Sequence, residues 1–210
     1  MSARPAGRAL RLGVFGGTFD PPHHGHLALA EWARVELKLD RVLFVPAGLP
    51  PHKRGTGLSP VAHRVAMTRA AVRGNPAFEV STIEARRSGP SWTADTLRAI
   101  AAAHPRARLH LLMGADMFAT FASWREPDTI ARLAVLVVAL RPGTRAPRRA
   151  LRSSPDARGV VWLANPGLEV SSRALRARAR RGRSLRYLVP DAVARYMERH
   201  RLYDGGRRTS

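Results

Sequence analysis

There is no cysteine among the 210 residues, so disulfide bonds and thiolate chemistry are excluded. Lysine is nearly absent: Lys38 and Lys53 are the only two, and every other basic side chain is arginine. Acid is scarce as well, with 15 Asp and Glu against 36 Lys and Arg and a formal net charge of +21. No run of about eighteen apolar residues occurs, and no charged-then-apolar leader opens the chain. The expectation is a cytoplasmic chain with no membrane partner. Two common phosphate-binding patterns are also missing. Without Gly-x-Gly-x-x-Gly there is no dinucleotide fingerprint, and without Gly-x4-Gly-Lys-Ser/Thr there is no Walker A loop.

What is present suits a folded domain. The length allows one domain with a small appendage, and an apolar fraction of 45% is ordinary for a globular core. Residues 1–9 read as a loose tail, 10–203 as a single domain whose part from about 165 is helical, and 204–210 as a second tail. No internal repeat is visible. The positive charge is concentrated: residues 141–186 hold thirteen arginines against Asp156 and Glu169. A solvated basic face explains that run, and so does attraction of a polyphosphate substrate.

The rest of the chain is organised around Gly13-Val-Phe-Gly-Gly-Thr-Phe-Asp-Pro-Pro-His-His-Gly-His26. A strand runs into a turn at Gly16 and Gly17, where glycine admits backbone angles closed to other residues and lets a ligand approach the main chain. Pro21 and Pro22 end the strand. Leu27, Ala30, Ala33 and Leu37 then repeat at helical spacing, so His23 and His26 stand at the mouth of a helix. A helix start offers N–H groups and partial positive charge to a phosphate, and two imidazoles add donors. Helix capping is the bland alternative. Metal ligation is another, since Asp20, His23, His24 and His26 cluster, but His-x-x-His supplies only two ligands.

Further along, strands are expected at 10–15, 41–46, 78–82, 108–113, 134–140 and 160–163. Helices begin near Gly25, after Ser59-Pro60 as cap and first-turn proline, at a Thr93 cap, at 128, at a cap on Ser171 or Ser172, and at Pro190. The first helix is expected to end near Leu39-Asp40. Alternation of this kind predicts an α/β fold with a doubly wound parallel sheet. Ligands in such sheets bind outside the carboxyl ends of the strands. Gly16–His26, Pro50–Lys53, Ser91–Thr93, Gly114–Asp116 and Arg141 each follow such an end, so they are expected to converge on one rim.

Each candidate also has a plain reading. Lys53 is a compact point charge in an arginine-rich chain, or a surface lysine. Asp116 can accept from ribose hydroxyls, or cap a helix. Trp124 can stack on a ring, or plug the core. Thr93 with Ser91 can present donors, or cap. Ser171, Ser172 and Arg176 can hold a triphosphate, or belong to a solvated basic helix. Trp32, Trp92 and Trp162 are read as packing.

The Gly-Gly-Thr-Phe-Asp-Pro-x-His-x-Gly-His stretch resembles the signature of the nucleotidyltransferase superfamily. From Leu12 to Tyr203 the chain is similar to bacterial nicotinate-nucleotide adenylyltransferases. Pro50-Pro-His-Lys53, Ser91-Trp-Thr-Ala-Asp-Thr-Leu97, Gly114-Ala-Asp116 with Trp124, Arg141-Pro-Gly143, Val170-Ser-Ser-Arg-Ala-Leu-Arg176 and Val189–Tyr203 carry that likeness. The resemblance implies a Rossmann-like sheet of the nucleotidylyltransferase type with a small C-terminal helical portion. It implies AMP transfer from ATP to nicotinate mononucleotide, giving deamido-NAD and pyrophosphate, with Mg2+ accompanying ATP.

The carried-over roles follow the matching positions. Gly16, Gly17, Thr18, Phe19, His23 and His26 would hold the ATP phosphates, and Gly114 and Asp116 the ribose. Ser171, Ser172 and Arg176 would take the outer phosphates. Lys53 would guide the attacking phosphate, and Thr93, Trp124 and Arg141 would frame the second substrate. His23, His26, Lys53 and Arg176 make up the implied catalytic set. No nucleic-acid partner is implied, and self-association is left open. The chain departs from the family pattern at Arg125, where an aromatic residue is usual, and at Arg173, where Ser or Thr is. Alternatives are a nicotinamide mononucleotide or phosphopantetheine acceptor, or a basic nucleic-acid-binding protein on a nucleotide fold, which would bind with steep salt dependence.

Overall fold

The structure, a computed structural model, describes residues 8–50, 57–140, 159–164 and 167–204. Among these, six strands form one all-parallel sheet: β1 (Leu10–Gly17), β2 (Arg41–Pro46), β3 (Phe78–Val80), β4 (Ala107–Gly114), β5 (Ala134–Leu140) and β6 (Val160–Ala164). Their order is β3-β2-β1-β4-β5-β6. The direction of winding reverses at β1, which pairs Val14 with Leu43 of β2 on one side and with Leu111 of β4 on the other. A crevice opens at the carboxyl ends on either side of such a reversal.

The helices are α1 (His24–Glu36), α2 (Val61–Val72), α3 (Thr93–Ala103), α4 (Ala115–Ala119), α5 (Pro127–Leu133), α6 (Ser172–Arg180) and α7 (Asp191–Arg199). Strand periodicity of two sorts side chains between two helical layers. Leu12 and Val14 meet Leu97 and Ile100 of α3 and Ile130 of α5, whereas Phe15 and Phe44 meet Ala30 and Ala33 of α1. With both faces covered, the central strands are continuously apolar, and six of the seven β5 residues are buried. A third cluster joins Met67 and Ala71 of α2 to Leu175, Val193 and Met197, so α6 and α7 pack against α2. No helix among the described residues is long and apolar enough to cross a membrane.

The expected α/β doubly wound sheet is therefore present, with local corrections. β1 runs through Gly16 and Gly17 in extended conformation, and the left-handed residue of the turn is Phe19, at φ 49°. Gly17 is required for another reason: a Cβ there would lie 2.9 Å from the Phe19 ring, which folds back beneath it. β3 ends at Val80, and α1 ends at Glu36 rather than near Leu39-Asp40. Arg8, placed in the loose tail, instead pairs with Asp40. Pro60 occupies the N-cap of α2, because the Ser59 N–H donates to Asp20 Oδ2 at 3.2 Å and its carbonyl accepts from Arg64 Nε at 3.0 Å. His200 is the exposed C-cap of the last helix, one residue past the end of α7.

Candidate active site

The carboxyl ends of the strands enclose a cavity of about 820 Å³. Gly16, Gly17, Thr18, Phe19, His23 and His26 line it after β1, Pro50 after β2, Thr93 at the start of α3, Gly114 and Asp116 after β4, Trp124 before α5, and Ser171, Ser172 and Arg176 at the start of α6. Residues scattered over the chain thus gather on one rim, as the parallel-sheet rule requires. Lys53 and Arg141 lie outside the described residues.

The capping alternatives resolve in specific ways. Trp92, not Thr93, is the N-cap of α3, and Gly114, not Asp116, is that of α4. The Thr93 and Asp116 side chains therefore stand in the first turns, on the cavity. Ser171 is a true cap: its hydroxyl accepts from the Ala174 N–H at 3.2 Å. Ser172 Oγ donates to the Pro21 carbonyl at 2.8 Å, and Arg176 Nη1 donates to the Asp20 carbonyl at 2.7 Å. These two bonds tie α6 to the loop after β1.

The histidines differ in character. The His23 ring is buried, its Nδ1 has no hydrogen-bond partner, and burial, reinforced by the neighbouring His24, holds its pKa down at about 4. At neutral pH it is an uncharged imidazole. The His23 backbone N–H donates to His26 Nδ1, which leaves Nε2 to carry the hydrogen of a neutral His26 ring. The start of α1 is also less open than the sequence suggests. Its His24 N–H donates to the Leu188 carbonyl, and its His26 N–H to that of His23. Phe19 is fully buried against Phe15, Phe44 and His26, so any contact it offers a ligand comes from its backbone.

Three buried charged groups organise the rim, and sequence reasoning gave them no such part. Arg64 is 2% exposed, and its guanidinium donates to the carbonyls of Ser59, Thr18, Ala47 and Gly48. Burial pulls its pKa below the usual value, while the charge of Asp20 pulls the other way. Asp20, fully buried, accepts from Ser59 N–H and from the Tyr203 hydroxyl, and lies 3.9 Å from Arg176 Nη1. Glu84 is buried, which pushes its pKa up, and it accepts from the hydroxyls of Thr96 and Ser91. Ser91 Oγ in turn accepts from the N–H groups of Gly48, at 2.9 Å, and Leu49, at 3.3 Å. Both ends of the peptides leaving β2 are thereby clamped, the carbonyls by Arg64 and the N–H groups by Ser91. A sequence signal for Arg64 existed: it falls on the same helical stripe as Val61, Val65, Thr68 and Val72.

Trp92, read as packing, also lines the cavity, with the Arg125 guanidinium 5.4 Å from its ring centre. Trp124 is half-buried, 5.6 Å from the Phe121 ring, and its Nε1 donates to Thr120 Oγ1 at 3.3 Å. Taken together, the rim has the chemistry of an anion site. N–H, imidazole, hydroxyl and guanidinium donors line the cavity, and two indoles offer faces for a planar ring.

Comparisons with known proteins agree with this geometry. The cytidylyltransferase-like family model matches residues 14–178. The probable nicotinate-nucleotide adenylyltransferase of Thermomicrobium roseum is 46% identical over 195 residues, covering 92% of this chain and 91% of that protein. Its counterpart in Salinibacter ruber is 44% identical over 197 residues, covering 92% and 98%. Among solved structures, the Plasmodium falciparum nicotinic acid mononucleotide adenylyltransferase complexed with NaAD superposes with a TM-score of 0.75. It covers 92% of this chain and 97% of its own at 16% identity, a likeness of fold.

Proposed function

The chain belongs to the cytidylyltransferase-like family and, within it, to the nicotinate-nucleotide adenylyltransferases, and from that premise we propose how its rim moves AMP from ATP to nicotinate mononucleotide. The reaction gives deamido-NAD and pyrophosphate, a step of NAD synthesis. The observation that carries the reading is the gathering of the phosphate-type donors and the two indoles on one cavity.

The mononucleotide phosphate is already a nucleophile at neutral pH, so no covalent enzyme intermediate is needed. One of its oxygens attacks the α-phosphorus of ATP, the bond from that phosphorus to the bridging oxygen breaks, and pyrophosphate leaves with the electron pair. The protein aligns the two phosphates and stabilises the charge that develops. His26, through Nε2–H, and the loop after β1 would meet the phosphate being transferred. Ser172 and Arg176 would take the outer phosphates, with Ser171 holding the start of α6 in place. Gly114 and Asp116 would seat the ribose, and Thr93 with Trp124 and Trp92 the pyridine ring. Lys53 and Arg141 are proposed as further contacts on the acceptor.

Magnesium is proposed with ATP. The described residues hold no group of three His, Cys, Asp or Glu side chains able to bind a metal ion, and the donors on the rim suit phosphate oxygens. The ion therefore fits best as part of the substrate, carried by the triphosphate and water, where it would supply charge neutralisation of the leaving pyrophosphate. ATP as donor supports the cytoplasmic setting expected from the sequence.

The test is pyrophosphate release from ATP and magnesium with nicotinate mononucleotide, nicotinamide mononucleotide and phosphopantetheine offered separately. Strong preference for the first is expected. Preference for another acceptor, or silence with all three, would overturn the assignment.

A further inference from the structure

We propose that Arg125, placed over the ring of Trp92, is the residue by which this chain favours the acid form of the pyridine nucleotide over the amide. The inference rests on the function proposed above and deepens it.

Arg125 and Trp92 both line the cavity, together with Thr93 and Trp124. The guanidinium carbon lies 5.4 Å from the Trp92 ring centre, within cation–π range. A guanidinium is a planar fork of N–H donors, which an ammonium is not. Its acidic neighbour does not neutralise it. Both Glu126 oxygens are engaged by Arg98, and Arg125 reaches that carboxylate only through Nε, at 3.7 Å. A positive, planar, bidentate donor thus remains on the cavity. The position is 53% exposed at the side chain, so its charge is open to an incoming ligand.

The two candidate acceptors differ by one functional group. Both carry a phosphate and a ribose, and only the acid adds a carboxylate. A guanidinium pairs with a carboxylate through two parallel N–H···O bonds, whereas a neutral amide offers one acceptor and no charge. Contributions from the shared phosphate cancel in the ratio of the two substrates, so that ratio isolates whatever meets the carboxylate. Arg125 stands where an aromatic side chain would otherwise help to wall the pyridine. Here Trp92 supplies the ring and Arg125 adds the charge.

The test compares wild type with Arg125→Gln, Arg125→Lys and Trp92→Phe. For each, kcat/KM is measured with nicotinate mononucleotide and with nicotinamide mononucleotide at saturating ATP and magnesium. Arg125→Gln is expected to lower the acid-to-amide ratio about tenfold, about 1.4 kcal/mol. The loss should fall in KM for the acid, with KM for ATP and the melting temperature unchanged. Arg125→Lys should lose part of the ratio, and Trp92→Phe little of it, because a ring remains beneath the guanidinium. The wild-type preference should also weaken at high salt. An active Arg125→Gln enzyme with an unchanged ratio, or with equal losses on both substrates, overturns the inference and leaves the proposed function standing. A wild type that uses neither nucleotide overturns both.

Discussion

The rings of His23 and His26 stack with centroids 3.7 Å apart and planes 30° apart, while the His23 backbone N–H donates to His26 Nδ1 at 3.2 Å. One histidine thus fixes the other's orientation and tautomer, and places the ring hydrogen of a neutral His26 on Nε2. A donor of this kind, aimed at charge that appears only in the transition state, acts on turnover rather than on ground-state binding. His26→Ala is expected to lower kcat about a hundredfold, roughly 3 kcal/mol, with KM for ATP changed by less than about threefold. Steady-state kinetics checks this, and an unchanged kcat would remove His26 from the chemistry.

His23 makes the free enzyme sensitive to acid. The unfolded chain takes up this proton near pH 6.5, the folded one only near 4. Between those values the unfolded state binds more protons, so stability rises with pH. The contribution is complete above about pH 6.5 and is lost as the pH falls towards 4, for a total of about 3 kcal/mol. Urea midpoints from pH 7.5 to 4 should show a loss in wild type that His23→Asn largely removes. Parallel curves for the two proteins would contradict it.

Arg64 serves four backbone carbonyls from a buried position. Arg64→Met is expected to cost about 3 kcal/mol of stability and to raise KM for the pyridine nucleotide, because two of those carbonyls belong to Ala47 and Gly48. Arg64→Lys should recover part of both, since three ammonium hydrogens cannot span the same set of acceptors. Denaturant midpoints and KM values read out the two effects, and a cost under about 1 kcal/mol would show the clamp to be dispensable.

Tyr203→Phe removes a hydroxyl donor from the fully buried carboxylate of Asp20. Burial, and then the Asp20 bond, raise the pKa of this phenol, so it remains a donor throughout the neutral range. The substitution is expected to cost about 1–3 kcal/mol and to lower kcat through the Arg176 side chain on the other side of Asp20. Urea denaturation and kinetics on the same preparation test both parts.

Gly48→Ala would place a Cβ 2.3 Å from the Glu84 carbonyl oxygen, a backbone atom that cannot rotate aside. The loops after β2 and β3 must then separate. The expected outcome is a lower melting temperature, with KM for the pyridine nucleotide raised more than KM for ATP. An unchanged melting temperature would mean that the two loops are not tightly apposed.

Much of this architecture was legible in the sequence, and the limits have physical causes. Periodicity located the six strands and the principal helices because both faces of the sheet are covered, so apolar runs and amphipathic stripes alternate cleanly. The rim followed from the rule for parallel sheets. Caps were misjudged by one residue at Pro60 and Trp92, because Ser59 and Thr93 are good cap formers whose groups the tertiary structure uses elsewhere or leaves facing the cavity. Gly16 and Gly17 invited a turn, yet the ring of Phe19 explains the demand for a small residue at 17. Arg64, Asp20 and Glu84 were harder to find. A buried charge is revealed only by the partners that neutralise or bond it, and those partners lie up to 183 positions away.

The bonds of the loop after β1 to Ser172, Arg176 and Tyr203 span 151, 156 and 183 residues. Synthesis proceeds in one direction, so the loop after β1 must wait for partners made 151 to 183 residues later. On a ribosome the β1–α1 loop emerges early, with its buried carboxylate still in water and no side chain to close over it. Contacts of such long range are also the slow ones to form. The phosphate wall is therefore finished late, and a nascent chain that stops short of Tyr203 would carry the signature sequence without its completed wall.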